Sequence, residues 1–317
     1  MNTYIFGHLK PDTDAVVSAM ALEYLHNNNA SEKNPAHENS KAVIVGALNP
    51  ETTFLFNKFG IETPQIITAN DIKEDDQIIL VDHNEESQRL EGMNQDQIVS
   101  IVDHHKANIN LNQPVCLIFR PWGSTSTVIY HMMKMKGVTP DKKIASLMLA
   151  AILSDTVGFK SATTTMKDEQ FGKELSQIAE ITDIESFTLE IFKAKSDVSK
   201  LSNEQIVTND YKIFDFGGKK VLIDQLETVE QDVILSDKKD GLLKAMETVK
   251  IDQGVDHIFV AITDILKINT KLLILGDESE AIASKAFGGT VENNTLDIGP
   301  KMSRKKEIAP AIEKALT

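Results

Sequence analysis

The sequence is short of cysteine, of aromatic residues and of positive charge, and each shortage excludes something. Its 317 residues hold one cysteine, Cys116, so no intramolecular disulfide framework is available and a reducing compartment is expected. Lys plus Arg number 33 against 47 Asp plus Glu, for a formal net charge of −14. A chain of that sign has no general footprint for duplex nucleic acid, and a phosphate-rich ligand must be received locally, by cations or by a small basic cluster. Long apolar runs are missing too: the longest nearly apolar stretch, 147–153, is far shorter than a membrane span. The opening residues MNTYIFGHLKPD carry neither a basic leader nor a small-residue cleavage site, so no signal peptide is expected. A soluble cytoplasmic protein is predicted.

What is present points to an α/β chain in two parts. With 41% hydrophobic residues over this length, more than one core of ordinary size is expected. Up to about residue 190, β-rich runs at 3–6, 42–45, 65–68, 78–81, 98–102 and 115–119 alternate with helical periodicity at 15–27, 51–59, 124–136, 142–154 and 167–179. That order predicts a mostly parallel sheet flanked by helices. Several of the strands are apolar without alternation, as expected when both faces are covered, and ligands then collect beyond the carboxyl ends of the strands. The polar stretch 27–41 reads as a loop. The segment 185–200 starts with helical periodicity and turns polar around Lys195, Ser196 and Asp197, which places a boundary between domains at 1–190 and 196–317. Beyond it, strands at 211–216, 220–223, 257–262 and 272–275 and a helix over 229–250 predict a smaller mixed α/β domain.

Four constellations carry chemistry. Gly7-His8-Leu9-Lys10-Pro11-Asp12-Thr13-Asp14 lies where a short strand gives way to a helix; an Asp there commonly caps the helix, but His8 with two carboxylates is also a ligand set for a divalent cation. Leu80-Val81-Asp82-His83-Asn84 and Ile101-Val102-Asp103-His104-His105 both follow apolar strands and repeat the Asp-His pair. A carboxylate buried at such a place is costly unless a cation or donors compensate it. Asp155 ends an almost wholly apolar helix, where the macrodipole disfavours an anion and a nearby cation would reverse that preference. Together His8, Asp12, Asp14, Asp82, His104 and Asp155 can hold two ions if a carboxylate bridges them, roughly 3.5 to 4 Å apart in two-metal hydrolytic sites. Imidazole with carboxylate suits Mn²⁺, Co²⁺ or Zn²⁺ better than Mg²⁺, and with no thiolate at hand Mn²⁺ is the first choice. The last constellation, Ser303-Arg304-Lys305-Lys306, would by itself read as solvated surface, yet Arg beside Lys is good phosphate chemistry.

GHLKPDTDAV, LVDHNE, IVDHH, LSDT and SRKK, in this order and spacing, resemble the motifs of the manganese-dependent family II inorganic pyrophosphatases, members of the DHH phosphoesterase superfamily. The resemblance spans essentially the whole chain; DHH is shared with other DHH enzymes, and the set ending in SRKK is much more specific. It implies an N-terminal DHH domain that binds metal and a DHHA2-type C-terminal domain that binds substrate, an active site in the cleft between them, and a homodimer formed by the N-terminal domains. It implies one metal on His8, Asp12 and Asp82 and another on Asp14, Asp82, His104 and Asp155, with Asp82 bridging. His105, Lys212, Arg304 and Lys305 then match positions that contact substrate phosphates, and Asp103 and His83 match residues that orient ligands. Two Mn²⁺ per subunit are implied, with Co²⁺ as an alternative and Mg²⁺ arriving with pyrophosphate. The chain is too short for the inserted nucleotide-binding module that some members carry.

The activity so implied is that of an inorganic diphosphatase: hydrolysis of pyrophosphate to two orthophosphates by a metal-bridging hydroxide, with no nucleic-acid or membrane partner. Competing readings are a DHH phosphoesterase acting on short oligonucleotides or a nucleoside bisphosphate, an exopolyphosphatase, and a non-catalytic phosphate or metal sensor. The first lacks its GGGH element here, of which Phe287-Gly288-Gly289-Thr290 is a faint echo.

Overall fold

Five parallel strands form the first sheet in the order β2-β1-β3-β4-β5: β1 (Thr3–Phe6), β2 (Ser40–Ala42), β3 (Gln77–Val81), β4 (Ile98–Asp103) and β5 (Cys116–Phe119). The missing alternation in β3 has a direct cause. Ile79 and Val81 enter one buried cluster with helices α1 (Thr13–Asn28), α3 (Thr125–Lys136) and α4 (Lys142–Asp155), while Ile78 and Leu80 enter another on the opposite face. Both faces of the sheet are therefore covered, as in other parallel sheets. Helices α2 (Pro50–Phe59), α5 (Met166–Ala179) and α6 (Ile184–Lys195) complete this part. The computed structural model describes residues 1–29, 39–199 and 201–316, and the chain divides into two units, Met1–Ala194 and Lys195–Thr317.

The second unit contains α7 (Asn203–Ile206), β6 (Tyr211–Phe216), β7 (Lys219–Thr228), α8 (Gln231–Asp237), α9 (Lys239–Asp252), β8 (His257–Asp264), β9 (Asn269–Ile274), α10 (Asp277–Phe287), β10 (Thr295–Asp297) and α11 (Ala309–Leu316). Its sheet runs β10-β9-β8-β7-β6, with β7 and β8 parallel and the other pairs antiparallel. Every residue of β8 is buried, because apolar clusters lie on both faces of the sheet. The α/β class, with a parallel first sheet and a mixed second one, is as the sequence predicts.

Several elements differ from expectation. Residues 65–68 form no strand; Ile66 only bridges Ile44, and Pro64 brings no N–H to that edge. The strand expected at 42–45 ends at Ala42, since Ile44 N turns to bond Gln65 O at 3.0 Å. The helix expected over 229–250 is two helices meeting at Lys238, next to Ser236, whose hydroxyl donates to Val233 O and Asp237 Oδ1 and so competes with the helix ladder. Helix α10 was not anticipated, because it buries only the small residues Ser279 and Ala283. Most of the polar stretch 27–41 lies outside the described residues, whereas its first two positions end α1 and its last two, Ser40 and Lys41, open β2 rather than a loop. No helix among the described residues is long and apolar enough to cross a membrane.

Candidate metal centre

The first three constellations meet at the carboxyl ends of β1, β3 and β4. His8 follows β1 across Gly7, where an added Cβ would lie 2.5 Å from Ala15 Cβ; only glycine lets the chain pass so close to α1. Asp12 is the N-cap of α1 and accepts from Ala15 N at 3.0 Å through Oδ1, which leaves Oδ2 at 3.6 Å from His8 Nε2. The helix-cap role and a ligand role are thus compatible in one side chain. Asp82, just past β3, is 1% exposed and holds a φ of 60°, a left-handed conformation that a non-glycine residue keeps only where its surroundings over-determine it.

Asp82 is the hub. Its Oδ2 lies 3.7 Å from His8 Nε2 and its Oδ1 lies 3.4 Å from His104 Nε2, while Asp155 Oδ2 lies 3.9 Å from His104 Nε2. Three groupings result, His8 with Asp12 and Asp82, Asp14 with Asp82, His104 and Asp155, and Asp82 with His104 and His105; within each the ligand atoms lie within 4.8 Å of one another, but in the third His105 Nδ1 is already taken by Asp103 Oδ1 at 2.9 Å. In the first two, the N···O separations exceed hydrogen-bond length but suit two atoms that share an ion through bonds of about 2.1 Å. Both imidazoles are also held in the ligating tautomer. His8 Nδ1 donates to Leu9 O and His104 Nδ1 to Trp122 O, each at 2.8 Å, so each Nε2 turns its lone pair toward the carboxylates.

The charge balance calls for cations. Burial pushes the Asp82 carboxyl well above the usual carboxylate range, and the charges of Asp14, Asp12, Asp155 and Asp103 push it further. Divalent ions at this place would reverse that preference. The residues therefore fit a pair of metals, both in donor chemistry and in uncompensated charge. His8 is raised above its ordinary value: burial opposes protonation, but the neighbouring Asp12 carboxylate, the Leu9 carbonyl and the charge of Asp14 outweigh it.

A run that carried no functional reading in the sequence holds the acids in place. Ser124 Oγ and Ser126 N donate to Asp14 Oδ1 at 2.8 and 3.0 Å, Thr125 N donates to Asp14 Oδ2 at 2.6 Å, and Thr125 Oγ1 donates to Asp82 Oδ1 at 2.9 Å. These groups are the N-terminus of α3, whose free N–H groups and dipole favour anions. The preceding Gly123 N donates to the buried Asp168 at 2.9 Å, and a Cβ on Gly123 would stand 2.5 Å from Thr156 Cγ2. The available signal was Gly-Ser-Thr-Ser ahead of helical periodicity.

Around His105 the arrangement is a chain. Asp103 Oδ1 accepts from His104 N, His105 N and His105 Nδ1 at 2.7, 3.0 and 2.9 Å. Although burial alone would raise it, hydrogen bonds from His105 and Asn84 hold Asp103 below the usual carboxylate range, and the bond to Asp103 in turn raises His105. His83 behaves differently from Asp103: its Nδ1 bonds Val81 O at 2.9 Å, its Nε2 has no hydrogen-bond partner, and burial lowers its pKa to about 4.

The basic residues lie in the second unit. Lys212, on β6, is exposed and its ammonium stands 5.5 Å over the Phe214 ring. Arg304 and Lys305 begin a π-helical turn, Arg304–Ile308, and the Arg304 guanidinium bonds Asp210, two residues before Lys212, with Nη2 at 3.0 Å from Asp210 Oδ1. The turn is anchored through its backbone. Gln225 Oε1 accepts from Arg304 N at 3.1 Å, Gln225 Nε2 donates to Met302 O at 3.0 Å, and Glu307 Oε2 accepts from Met302 N and Ser303 N at 3.0 and 3.1 Å. Gln225 did not stand out in the sequence, because 79 residues separate it from Arg304, and Glu307 reads there as one more charged residue of a polar turn.

Residues 2–152 match the DHH family, N-terminal domain, and residues 189–315 match the DHHA2 domain. The manganese-dependent inorganic pyrophosphatase of Methanocaldococcus jannaschii is 40% identical over 322 residues, covering 98% of each chain. The probable manganese-dependent inorganic pyrophosphatase of Archaeoglobus fulgidus is 41% identical over 318 residues, covering 98% of this chain and 97% of that one. Among solved structures, a Methanococcus jannaschii chain assigned to the family II inorganic pyrophosphatases aligns over 99% of both chains at 37% identity with a TM-score of 0.62. An exopolyphosphatase-related protein from Bacteroides fragilis, at 17% identity and a TM-score of 0.52, shares the fold alone. Likeness at that level over the full length of both domains, joined to the carboxylate and imidazole groupings around Asp82, leaves one conclusion: the chain belongs to the manganese-dependent, family II inorganic pyrophosphatases.

Proposed function

We propose that this chain hydrolyses inorganic pyrophosphate to two orthophosphates at a dinuclear Mn²⁺ centre bridged by Asp82. The observation that supports it most is that one buried carboxylate, Asp82, belongs both to the grouping of His8 and Asp12 and to that of Asp14, His104 and Asp155. In this reading residues 1–190 are the metal-binding catalytic domain and 196–317 the substrate-binding domain. His8 and Asp12 complete one metal position with Asp82; Asp14, His104 and Asp155 complete the other. Two Mn²⁺ ions would supply Lewis acidity and lower the pKa of the attacking water, with Co²⁺ as a substitute and Mg²⁺ arriving with the substrate.

The chain's own residues do the rest. Because the Asp103 carboxylate is held ionised and takes the His105 Nδ1 proton in a hydrogen bond, His105 presents Nε2 to a phosphate oxygen. Arg304 forks phosphate oxygens, and Lys212 and Lys305 add compact charge, so that the negative charge of the transferring group and of the leaving phosphate is neutralised. The Thr125 hydroxyl and the α3 N-terminus fix the acids that surround the reaction.

Two copies pair through the first unit, where β5 is an edge strand with Leu117 half exposed. One unpaired thiol suits the cytoplasm. Phosphate release from pyrophosphate, polyphosphate and a dinucleotide, each with Mn²⁺, tests the assignment. Turnover of pyrophosphate well above the other two is expected; preference for polyphosphate or the dinucleotide, or binding of pyrophosphate without release, would reject it. Light scattering on the same preparation tests the dimer, which a monomer mass would exclude.

A further inference from the structure

Asn84 follows Asp82 and His83 but faces a different task. It is 1% exposed, and all three bonds of its side chain reach across to the last residue of β4 and the segment that follows it. Nδ2 donates to Asp103 Oδ2 at 2.5 Å and to Lys106 O at 3.1 Å, and Oδ1 accepts from Asn108 N at 2.6 Å. Its own carbonyl accepts from Arg89 Nη2 at 2.7 Å, and Arg89, 4% exposed, is braced in turn by Gln95 Oε1 at 2.7 Å. The loop that carries His104 and His105 thus hangs from the loop that carries Asp82.

The two oxygens of Asp103 have separate partners. Oδ1 gathers His104 N, His105 N and His105 Nδ1, whereas Oδ2 is the oxygen that Asn84 grips. The terminal torsion of an aspartate is broad and roughly two-fold, so the bond at Oδ2 fixes the plane in which Oδ1 meets the imidazole. An aspartate at position 84 has the same shape but would set two carboxylate oxygens against each other, which makes the amide donor, and not the size of the side chain, the feature that matters.

We propose that Asn84 is a positioning residue for pyrophosphate hydrolysis: it locks the Asp103 carboxylate and through it aims His105 Nε2 at the substrate phosphate. This rests on the reading of His105 as a phosphate contact given above. Asn84 acts through Asp103 on His105, and its side chain bonds none of the residues grouped as metal ligands.

A double-mutant cycle on the full-length Mn²⁺ enzyme tests it, with kcat/KM for pyrophosphate, Mn²⁺ affinity and thermal midpoint measured for Asn84→Ala, His105→Ala and the pair. Asn84→Ala is expected to lower kcat/KM roughly tenfold, in the range of other outer-shell changes, with Mn²⁺ affinity retained. In the His105→Ala background the same change should cost less than about twofold, because the group it positions is gone. A general loosening of the fold would lower both backgrounds alike, and equal losses in the two would overturn the proposal. If His105→Ala alone leaves kcat/KM unchanged, the phosphate role of His105 fails and Asn84 falls with it; if His105→Ala is impaired and Asn84→Ala is not, only the positioning role fails. Should Asn84→Ala not fold, Asn84→Asp replaces the donor NH₂ with an oxygen at constant shape and must show the same loss and the same dependence on His105.

Discussion

The two units hold their candidate functional residues in opposite ways. In the first, the two central acids are buried and heavily bonded: Asp14 and Asp82 are at most 1% exposed and are met by the N-terminal groups of α3. In the second, Lys212 and Lys305 are exposed, and the turn that carries Arg304 and Lys305 is fixed through its backbone by Gln225 and Glu307. The contrast follows from what each charge must do. Carboxylates that share ions must stay crowded even before the ions arrive, so the fold itself has to oppose their repulsion. Cations that meet a mobile anion need only a fixed backbone and long side chains, whose hydration is lost when the anion arrives.

The strongest way to break this comparison is Asp82→Asn. It keeps the shape, removes the shared charge, and should relieve the repulsion that raises the Asp82 pKa. Pyrophosphate turnover and Mn²⁺ affinity are both expected to fall, by more than the roughly 100-fold upper range of outer-shell changes, and the variant should be no less stable without metal. Mn²⁺ titration with phosphate-release kinetics checks this. Unchanged Mn²⁺ binding would mean that the crowding of acids serves the fold and not the ions.

Arg304→Ala sharpens the comparison from the other side. Losing charge-assisted bonds worth about 1.5 to 3 kcal/mol should lower kcat/KM roughly 10- to 150-fold, while Mn²⁺ affinity stays the same. Loss of metal binding in that variant would show that Arg304 belongs with the acids. The Arg304 backbone bond to Gln225 does not depend on the side chain, so the turn should survive the change.

The difference between the units also explains what could be read from the sequence. In the first unit the ligands sit one to three residues beyond apolar strands or at helix ends, so Asp82, His104 and Asp155 are announced by the regular elements before them. Their supports were not, because Thr125 and Asn84 reach their partners across 43 and 19 residues of sequence, and hydroxyl or amide side chains near a helix start or turn have an ordinary local explanation. In the second unit, Arg304 and Lys305 lie on an irregular turn with no periodicity to frame them; their adjacency suits phosphate but by itself reads as solvated surface, and the resemblance is what tied them to substrate. The strand edges mattered least to the site: the lost strand at 65–68 moves none of the ligands.

The smallest effect is confined to the second unit and concerns stability. Asp224, on β7, is fully buried; its Oδ1 accepts from Asp210 N at 2.9 Å and its Oδ2 has no hydrogen-bond partner. Burial raises its pKa from 3.8 to about 7. A carboxyl raised on folding favours the folded state most below its unfolded pKa, and that contribution is lost as pH climbs from about 4 through about 7. At roughly 1.4 kcal/mol per unit the shift bounds the loss at about 4 kcal/mol, and relaxation around the ionised group should reduce it to about 1 to 2. Asp224→Asn keeps the acceptor for Asp210 N and cannot ionise. The variant should therefore match the parent near pH 4 and become more stable than it by pH 8, as followed by urea unfolding of the full chain with a probe in this unit. The first unit without metal predicts the reverse contrast: Asp82 is crowded by like charges that Mn²⁺ would offset, whereas Asp224 has the cationic Arg304 nearby. Added Mn²⁺ should accordingly leave the pH dependence of the Asp224→Asn difference unchanged, and a difference that vanished with Mn²⁺ would erase the distinction between the two units.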